Sequence, residues 1–440
     1  MRNYQTQIGI ALAVFIASLD TSITNTLIPN IAITFGIEQN IGVLSILLYQ
    51  LIMIAFTIPL MNYGKKYGLN KILYAGILCF AFHSIIVSFA HNYAFFIYGR
   101  IGQALGATAI LGSYNAIIKL VIQKKDIGKW IGIFTLTIAS GLSIGPSLAS
   151  FLIKYIPWNF IFLMNIPLMM FAFLLIYQRI PNNKILNFGF DWITNILIIF
   201  AFILFILGIN FIHQDDYNIQ SIISLFLSFI LFIILYIKNN KLDNSNFPFH
   251  LLSNSNYVIP LLSTAIVFII QSIAYVGIPI ILYSQFKIPL YKIGYLISPW
   301  PLMGAITAPV AGYFSDKYSS IKLSIIGLII LGIGAYVVTI SFPDNQNKYF
   351  IYAMMLCGLG FGFFQTPNIK SVMNFVNEKD SGNASGLLAI FRVIGQSFGS
   401  ILVAYFILHF NVSEWKLLFY AAILCTVLGS LILSIKLVTK

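Results

Sequence analysis

The chain is 440 residues long, 59% hydrophobic and only 8% charged, with a mean hydropathy of +0.91, whereas soluble domains carry roughly a quarter of charged residues. Its apolar residues come in blocks of about 20, long enough to cross a hydrocarbon core as helix. This predicts an all-α polytopic membrane protein and excludes a strand barrel, whose short alternating segments are far less hydrophobic.

The first residues, Met1 to Gln7, carry a single Arg2 and no cleavage site stands out after them, so the first apolar run reads as a membrane helix rather than a signal sequence. Six spans are predicted near 8–29, 42–61, 72–90, 94–118, 130–153 and 159–178. Two more fall near 192–212 and 219–237, and six near 257–283, 293–314, 322–342, 350–374, 384–410 and 417–436. Fourteen spans put both termini on one side. With that side cytoplasmic, eighteen of the 25 Lys and Arg lie inside, five outside and two within spans, as the positive-inside rule requires. The net charge of +13 then faces anionic lipid and calls for no nucleic acid. The longest polar connections, about 180–191 and 238–256, are too short to fold alone, so function must reside among the helices.

Asp20 is the one acidic residue inside a long apolar segment. A carboxylate at such depth is expensive unless paired, hydrated or protonated, and marks an ion or proton pathway by default. The two cations within spans are Arg100 and Arg392. At about 1.5 Å of rise per residue, Asp20 lies about 18 Å from the inner end of its span and Arg100 about 9 Å below the outer surface. The depths nearly match, so an Asp20–Arg100 ion pair is expected, against the alternative that Arg100 snorkels outward. Arg392, about a third of the way in from the cytoplasmic side, either faces the interior or snorkels inward.

Uncharged polar residues within spans include Asn25, Gln50, Gln103, Asn115, Gln271, Tyr275, Gln365 and Asn368. Each either lines an aqueous cavity or ties helices together. His83 reads as a packing residue before a proton relay. Cys79, Cys357 and Cys425 are widely separated in apolar runs, with no metal or disulfide spacing, and no cofactor is expected. Spans seven and eight are almost wholly aliphatic and aromatic from Ile196 to Leu207 and from Ile222 to Tyr236. They read as a peripheral pair inserted between two six-helix bundles, which suits a rocking carrier. The predicted units are 1–180, 181–256 and 257–440.

The segment Leu19-Asp20-Thr21-Ser22-Ile23-Thr24-Asn25-Thr26-Leu27-Ile28-Pro29 resembles the first-helix motif of the fourteen-helix drug:proton antiporter branch of the major facilitator superfamily. Tyr98-Gly99-Arg100-Ile101-Gly102-Gln103-Ala104-Leu105-Gly106 resembles its fourth-helix motif, and Gly141 to Ser150, with Gly145-Pro146, its fifth-helix signature. Trp158-Asn159-Phe160, Asn165-Ile166-Pro167, Asp191-Trp192 and the Gly382 to Gly399 stretch around Arg392 also match. The likeness covers nearly the whole chain. Gly141, Gly145 and Ala149 share one helical face, and Pro146 removes a backbone hydrogen bond, so this face is expected to pack closely and to serve as a pivot between the bundles.

The family also places Gly, then Asp and a basic residue, in the loop after helix two. Here that loop reads Met61-Asn62-Tyr63-Gly64-Lys65-Lys66-Tyr67-Gly68, so Lys65 stands at the Asp position while Lys66 and Gly68 remain. The second half keeps the motif better as Gly312-Tyr313-Phe314-Ser315-Asp316-Lys317. The resemblance implies that such an Asp latches the two bundles, which makes Asp316 the better candidate.

What the resemblance implies is a monomeric, non-enzymatic carrier of the bacterial inner membrane. It would export small molecules by alternating access in exchange for protons carried by Asp20. With a single membrane acid, one proton per cycle and a neutral or monovalent cationic lipophilic drug are the simplest expectations. A transporter of a specific metabolite, siderophore or amino acid shares the fold, and a channel or transport-dead sensor is the alternative from another class.

Overall fold

The computed structural model describes residues 2–122, 127–182, 189–211, 218–239, 247–341, 347–376, 380–409 and 414–438. The first half holds α1 (Arg2–Phe35), α2 (Gln39–Tyr67), α3 (Leu69–Ser88), α4 (Tyr93–Val121), α5 (Ile127–Leu152) and α6 (Asn165–Ile176). A 3-10 segment, Trp158–Met164, leads into α6. Next come α7 (Trp192–Phe211), α8 (Asn218–Asn239) and the short α9 (Phe249–Leu252). The second half holds α10 (Ser255–Ser272), which runs through a π-helical turn at Ile273–Gly277 into α11 (Ile278–Ser284), and then α12 (Leu290–Ile297) and α13 (Pro299–Lys317). It ends with α14 (Ser320–Ser341), α15 (Asn347–Asn374), α16 (Ser381–His409) and α17 (Lys416–Val438).

Each predicted span contains helix among the described residues, but only twelve of these helices are long and apolar enough to cross a membrane. Within α5 the apolar stretch among the described residues is Leu136–Ala149. The predicted span 293–314 is divided into α12 and α13 at Ser298, where Pro299 and Pro301 remove backbone donors.

Prolines inside helices free carbonyls that other helices then use. Pro146 cannot bond to the Leu142 carbonyl, which instead accepts from the Ser22 hydroxyl of α1 at 2.7 Å. Pro260 frees the Asn256 carbonyl, which accepts from Lys436 of α17 at 2.7 Å. Each freed carbonyl thus regains a donor from another helix.

The α7–α8 pair lies at the edge. Asn195 of α7 accepts a 2.9 Å hydrogen bond from Asn62 of α2, while α8 packs on α7 through Ser221 to the Gly208 carbonyl and Ser228 to the Ala201 carbonyl. The other face of α8 is bare, with Ile219, Ile222, Phe226 and Phe229 all more than 60% exposed. An apolar face of this kind suits lipid.

The two halves meet unequally at their two ends. At the end carrying Lys65, Lys66 and Lys317, one apolar core joins Ile54, Ile58, Met61 and Ile117 to Leu261, Ile369 and Leu387. At the opposite end the cores are separate. One contains Leu27, Ile31, Phe96 and Trp158 of the first half; the other contains Ile278, Ile281, Leu296 and Phe350 of the second. A shared apolar core joins the halves at the basic end, and at the opposite end contact between them persists where α5 packs on α12 and α13.

Candidate functional site

Asp20 and Arg100 are 1% and 2% exposed, and the Arg100 Nη1 donates to Asp20 Oδ2 at 2.6 Å. The same nitrogen donates to Gln103 Oε1 at 2.8 Å, one turn along α4. Asp20 Oδ1 accepts from the Asn165 amide, also at 2.8 Å. Asn165 reaches it because the 3-10 segment delays the start of α6 until that depth. Ser84 of α3 closes the cluster, accepting from Gln103 Nε2 at 2.8 Å and from Asn165 at 3.4 Å. The guanidinium lies 4.5 Å from the centre of the Tyr49 ring, a cation–π contact that is strongest where water is absent. Both carboxylate oxygens are therefore engaged by donors from separate helices. This satisfaction is what a buried charge needs to persist.

A cavity lies between the halves beside this pair. Arg100 forms part of its wall, while Asp20 stands behind Arg100 and does not line it. From the first half the wall includes Ser18, Thr21, Asn25, Tyr49 and Gln50. From the second it includes Gln271, Tyr275, Gln365, Arg392 and Gln396, with Phe268 and Phe361 supplying apolar surface. Tyr275 sits within the π-helical turn, a local widening frequent at functional sites. Ser397 donates to Gln50 Oε1 at 3.1 Å, tying α16 to α2 near the middle of the molecule.

The structure thus gathers Asn25, Gln50, Gln271, Tyr275, Gln365 and Arg392 at one cavity. Two other predicted lining residues sit elsewhere. Gln103 is behind Arg100, bonded to it and to Ser84. Asn368 is absent from this wall and borders a smaller adjoining space, its amide held by the Pro260 carbonyl and Thr264 hydroxyl. Asn115 lies on α4, but its side chain falls outside the described residues. Sequence reasoning overlooked Asn165, Ser84 and Tyr49 as site residues. For Asn165, a position within a quoted motif was the signal available. His83 is a packing residue here, with its ring over Gly102 and its Nδ1 2.9 Å from the Cys79 carbonyl.

Two expectations need correction. The glycine face of α5 packs on α1 of its own half, while other parts of α5 pack on α12 and α13 of the second. A Cβ on Gly141 would lie 2.8 Å from the Phe15 carbonyl oxygen, and one on Gly145 2.6 Å from Ser22 Cβ, both on α1. Pro146 follows in the same helix, and Ala149 is buried with Leu19 and Ile23 of α1. Small residues specify a close neighbour, and the neighbour is the helix carrying Asp20. The second correction concerns Asp316, which pairs with Lys370 of α15 in its own half. Lys317 donates to the Tyr313 hydroxyl one turn back, and an added Cβ at Gly312 would touch only Thr366 of the same half. In the first-half loop, Lys66 lies over the rings of Tyr67 and Phe190. Gly68 has φ +111° and joins α2 directly to α3.

The description "Major Facilitator Superfamily" belongs to the family model that matches residues 10–238 and 261–440. The chain belongs to that family. Major facilitator proteins are transporters, not enzymes. Among its relatives, the chain is 25% identical over 431 residues to the uncharacterized transporter YebQ of Escherichia coli (strain K12), covering 98% of this chain and 94% of that one. It is 25% identical over 400 residues to the riboflavin transporter RibZ of Clostridioides difficile (strain 630), covering 90% and 86%. Multidrug resistance protein 3 of Bacillus subtilis (strain 168) is 23% identical over 403 residues, with 89% and 77% covered. The crystal structure of the human organic anion transporter MFSD10 (TETRAN) superposes with a TM-score of 0.72 at 10% identity, covering 98% and 99%. This last likeness shows that the major facilitator fold is shared.

Proposed function

We propose that this major facilitator protein is a drug exporter of the fourteen-helix drug:proton antiporter branch, with Asp20 as its coupling proton site. The observation that carries the reading is the buried Asp20–Arg100 pair at the wall of a cavity between the two halves. Its units are the six-helix bundle 1–180, the inserted pair 181–256 and the six-helix bundle 257–440. It acts as a monomer in a bacterial inner membrane with both termini cytoplasmic, and small molecules, protons and lipid are its partners.

With the basic end cytoplasmic, the apolar core shared by the halves lies on the inner side, which supports access to the site from outside. A proton arriving from outside neutralises Asp20 and weakens its hold on Arg100. Arg100 is shared between Asp20 and the cavity wall, so a change at the carboxyl is transmitted to the bound molecule. The halves then rock, the proton leaves inward and substrate binds from the cytoplasm or inner leaflet.

The test is counter-movement of substrate and protons in vesicles, with wild-type protein and an Asp20→Asn variant. Loss of proton flux in the variant is expected; unchanged proton coupling would sink this mechanism. Carriage of one specific metabolite is the second reading, and a relative named as a riboflavin transporter favours keeping it. Competition by many unrelated dyes supports the first reading, and inhibition by one metabolite alone supports the second.

A further inference from the structure

Among the described residues lining the central cavity, only two side chains carry charge, and both are guanidiniums, Arg100 and Arg392. Arg100 is already neutralised by Asp20 standing behind it. Arg392 has no such counter-charge, and it makes no ion pair or hydrogen bond with a described residue. It faces free space on two sides, because it also borders the smaller cavity that adjoins the first. It lines these internal cavities, whereas the alternative had it snorkel towards the cytoplasmic surface.

A guanidinium keeps its proton in proteins, so a desolvated one finds relief in water or in an anion. The surrounding groups favour an anion. The Tyr275 hydroxyl and Arg100 Nε are both buried, and both lack a hydrogen-bond partner. Both residues belong to the wall, with these atoms set beneath its surface, and among the described lining residues no carboxylate is present to hold a cation. Tyr49, Phe268 and Phe361 supply aromatic surface for an apolar body.

We infer that the central cavity binds an organic anion: an aromatic or otherwise apolar molecule whose carboxylate, sulfonate or phosphate pairs with Arg392. This replaces the expectation of a cationic drug. The earlier expectation counted Asp20 as the substrate's counter-charge, but Arg100 occupies that carboxylate on the cavity side. An anion at Arg392 presupposes the transport reading above, though not the assignment of the proton to Asp20. Outward movement of an anion is also driven by an inside-negative membrane potential.

The test uses the full-length protein in liposomes, with empty liposomes as the leak control. The probes are fluorescein, which is anionic, rhodamine 6G, a cation on the same ring system, and labelled chloride. Saturable fluorescein flux is expected, faster when the compartment it leaves is made negative. Arg392→Gln should lower its kcat/KM at least tenfold, Arg392→Lys should restore part of that loss, and rhodamine 6G should not be carried. A monodisperse size-exclusion profile for each variant separates loss of recognition from loss of fold. Transport of rhodamine 6G alone, of chloride alone or of no probe overturns the assignment. So does wild-type fluorescein transport by Arg392→Gln. Unaltered proton flux in Asp20→Asn overturns the coupling reading and leaves the Arg392 assignment standing, so the two fail separately.

Discussion

Asn165 donates to Oδ1 of Asp20 while Arg100 donates to Oδ2, so the carboxylate of α1 is held from α6 and α4 at once. The arrangement makes Asn165 a positioning residue for the proton site. Removing a donor from a buried charged acceptor costs about 1–3 kcal/mol. Asn165→Ala is therefore expected to lower the melting temperature in detergent and to shift the pH dependence of transport. An unaltered pH profile would show that Asn165 only supports the fold.

Arg100 and Asp20 are coupled, and single substitutions should be worse than the double one. Removing one member of a buried pair leaves a charge uncompensated, at a cost of about 3–5 kcal/mol. Arg100→Gln alone should destabilise strongly, whereas Asp20→Asn combined with Arg100→Gln should recover much of the loss. Thermal unfolding of the four members of this cycle checks it. Equal destabilisation by the single and double variants would contradict the coupling.

Gly145 and Ser22 make the contact between α5 and α1 specific. A Cβ at Gly145 meets Ser22 Cβ at 2.6 Å and the Ile23 backbone nitrogen at 3.1 Å, so Gly145→Val should abolish stable expression. Ser22→Ala is milder, since it removes the one donor on the Leu142 carbonyl freed by Pro146, a loss of about 1 kcal/mol. Yield and melting temperature together rank the two.

Asp191 caps the start of α7 and pairs with Lys238 at the end of α8, at 2.5 Å. Partial burial pushes its carboxyl up, but hydrogen bonds from Lys238 and Thr194 outweigh that and hold it below the usual carboxylate range. A group depressed on folding contributes stability above its unfolded pKa and loses it as pH falls through the lower folded value. Acidification below the ordinary carboxylate range should therefore loosen the α7–α8 pair in the wild type. Asp191→Asn should remove that part of the pH dependence, as read by hydrogen exchange of the α7 and α8 amides at acid and neutral pH.

Gly68 tests whether the first-half loop is structurally fixed. Its φ of +111° favours glycine, and an added Cβ would lie 2.5 Å from the side-chain oxygens of Asn70 and Asn182. Backbone strain of this type costs about 1–3 kcal/mol. Gly68→Ala should lower the melting temperature by a corresponding amount. No change would mean that the α2–α3 junction can relax.

The sequence by itself determined the class, the helical character of the spans though not their number, the family and the depth match of Asp20 and Arg100. These follow from properties that a chain carries locally: runs of apolar residues, motif order, and a rise per residue that converts sequence distance into depth. Azimuth and partner are not local. Gly141 and Gly145 announced a close approach without naming α1 as the neighbour, and Asp316 announced an ion pair without placing Lys370 beside it. Asn165 looked like any helix-start amide until the 3-10 segment set it against Asp20. Tertiary packing alone decided that Arg100, not Asp20, faces the cavity, because only the rotation of α1 and α4 against their neighbours fixes which member of a buried pair is presented to open space.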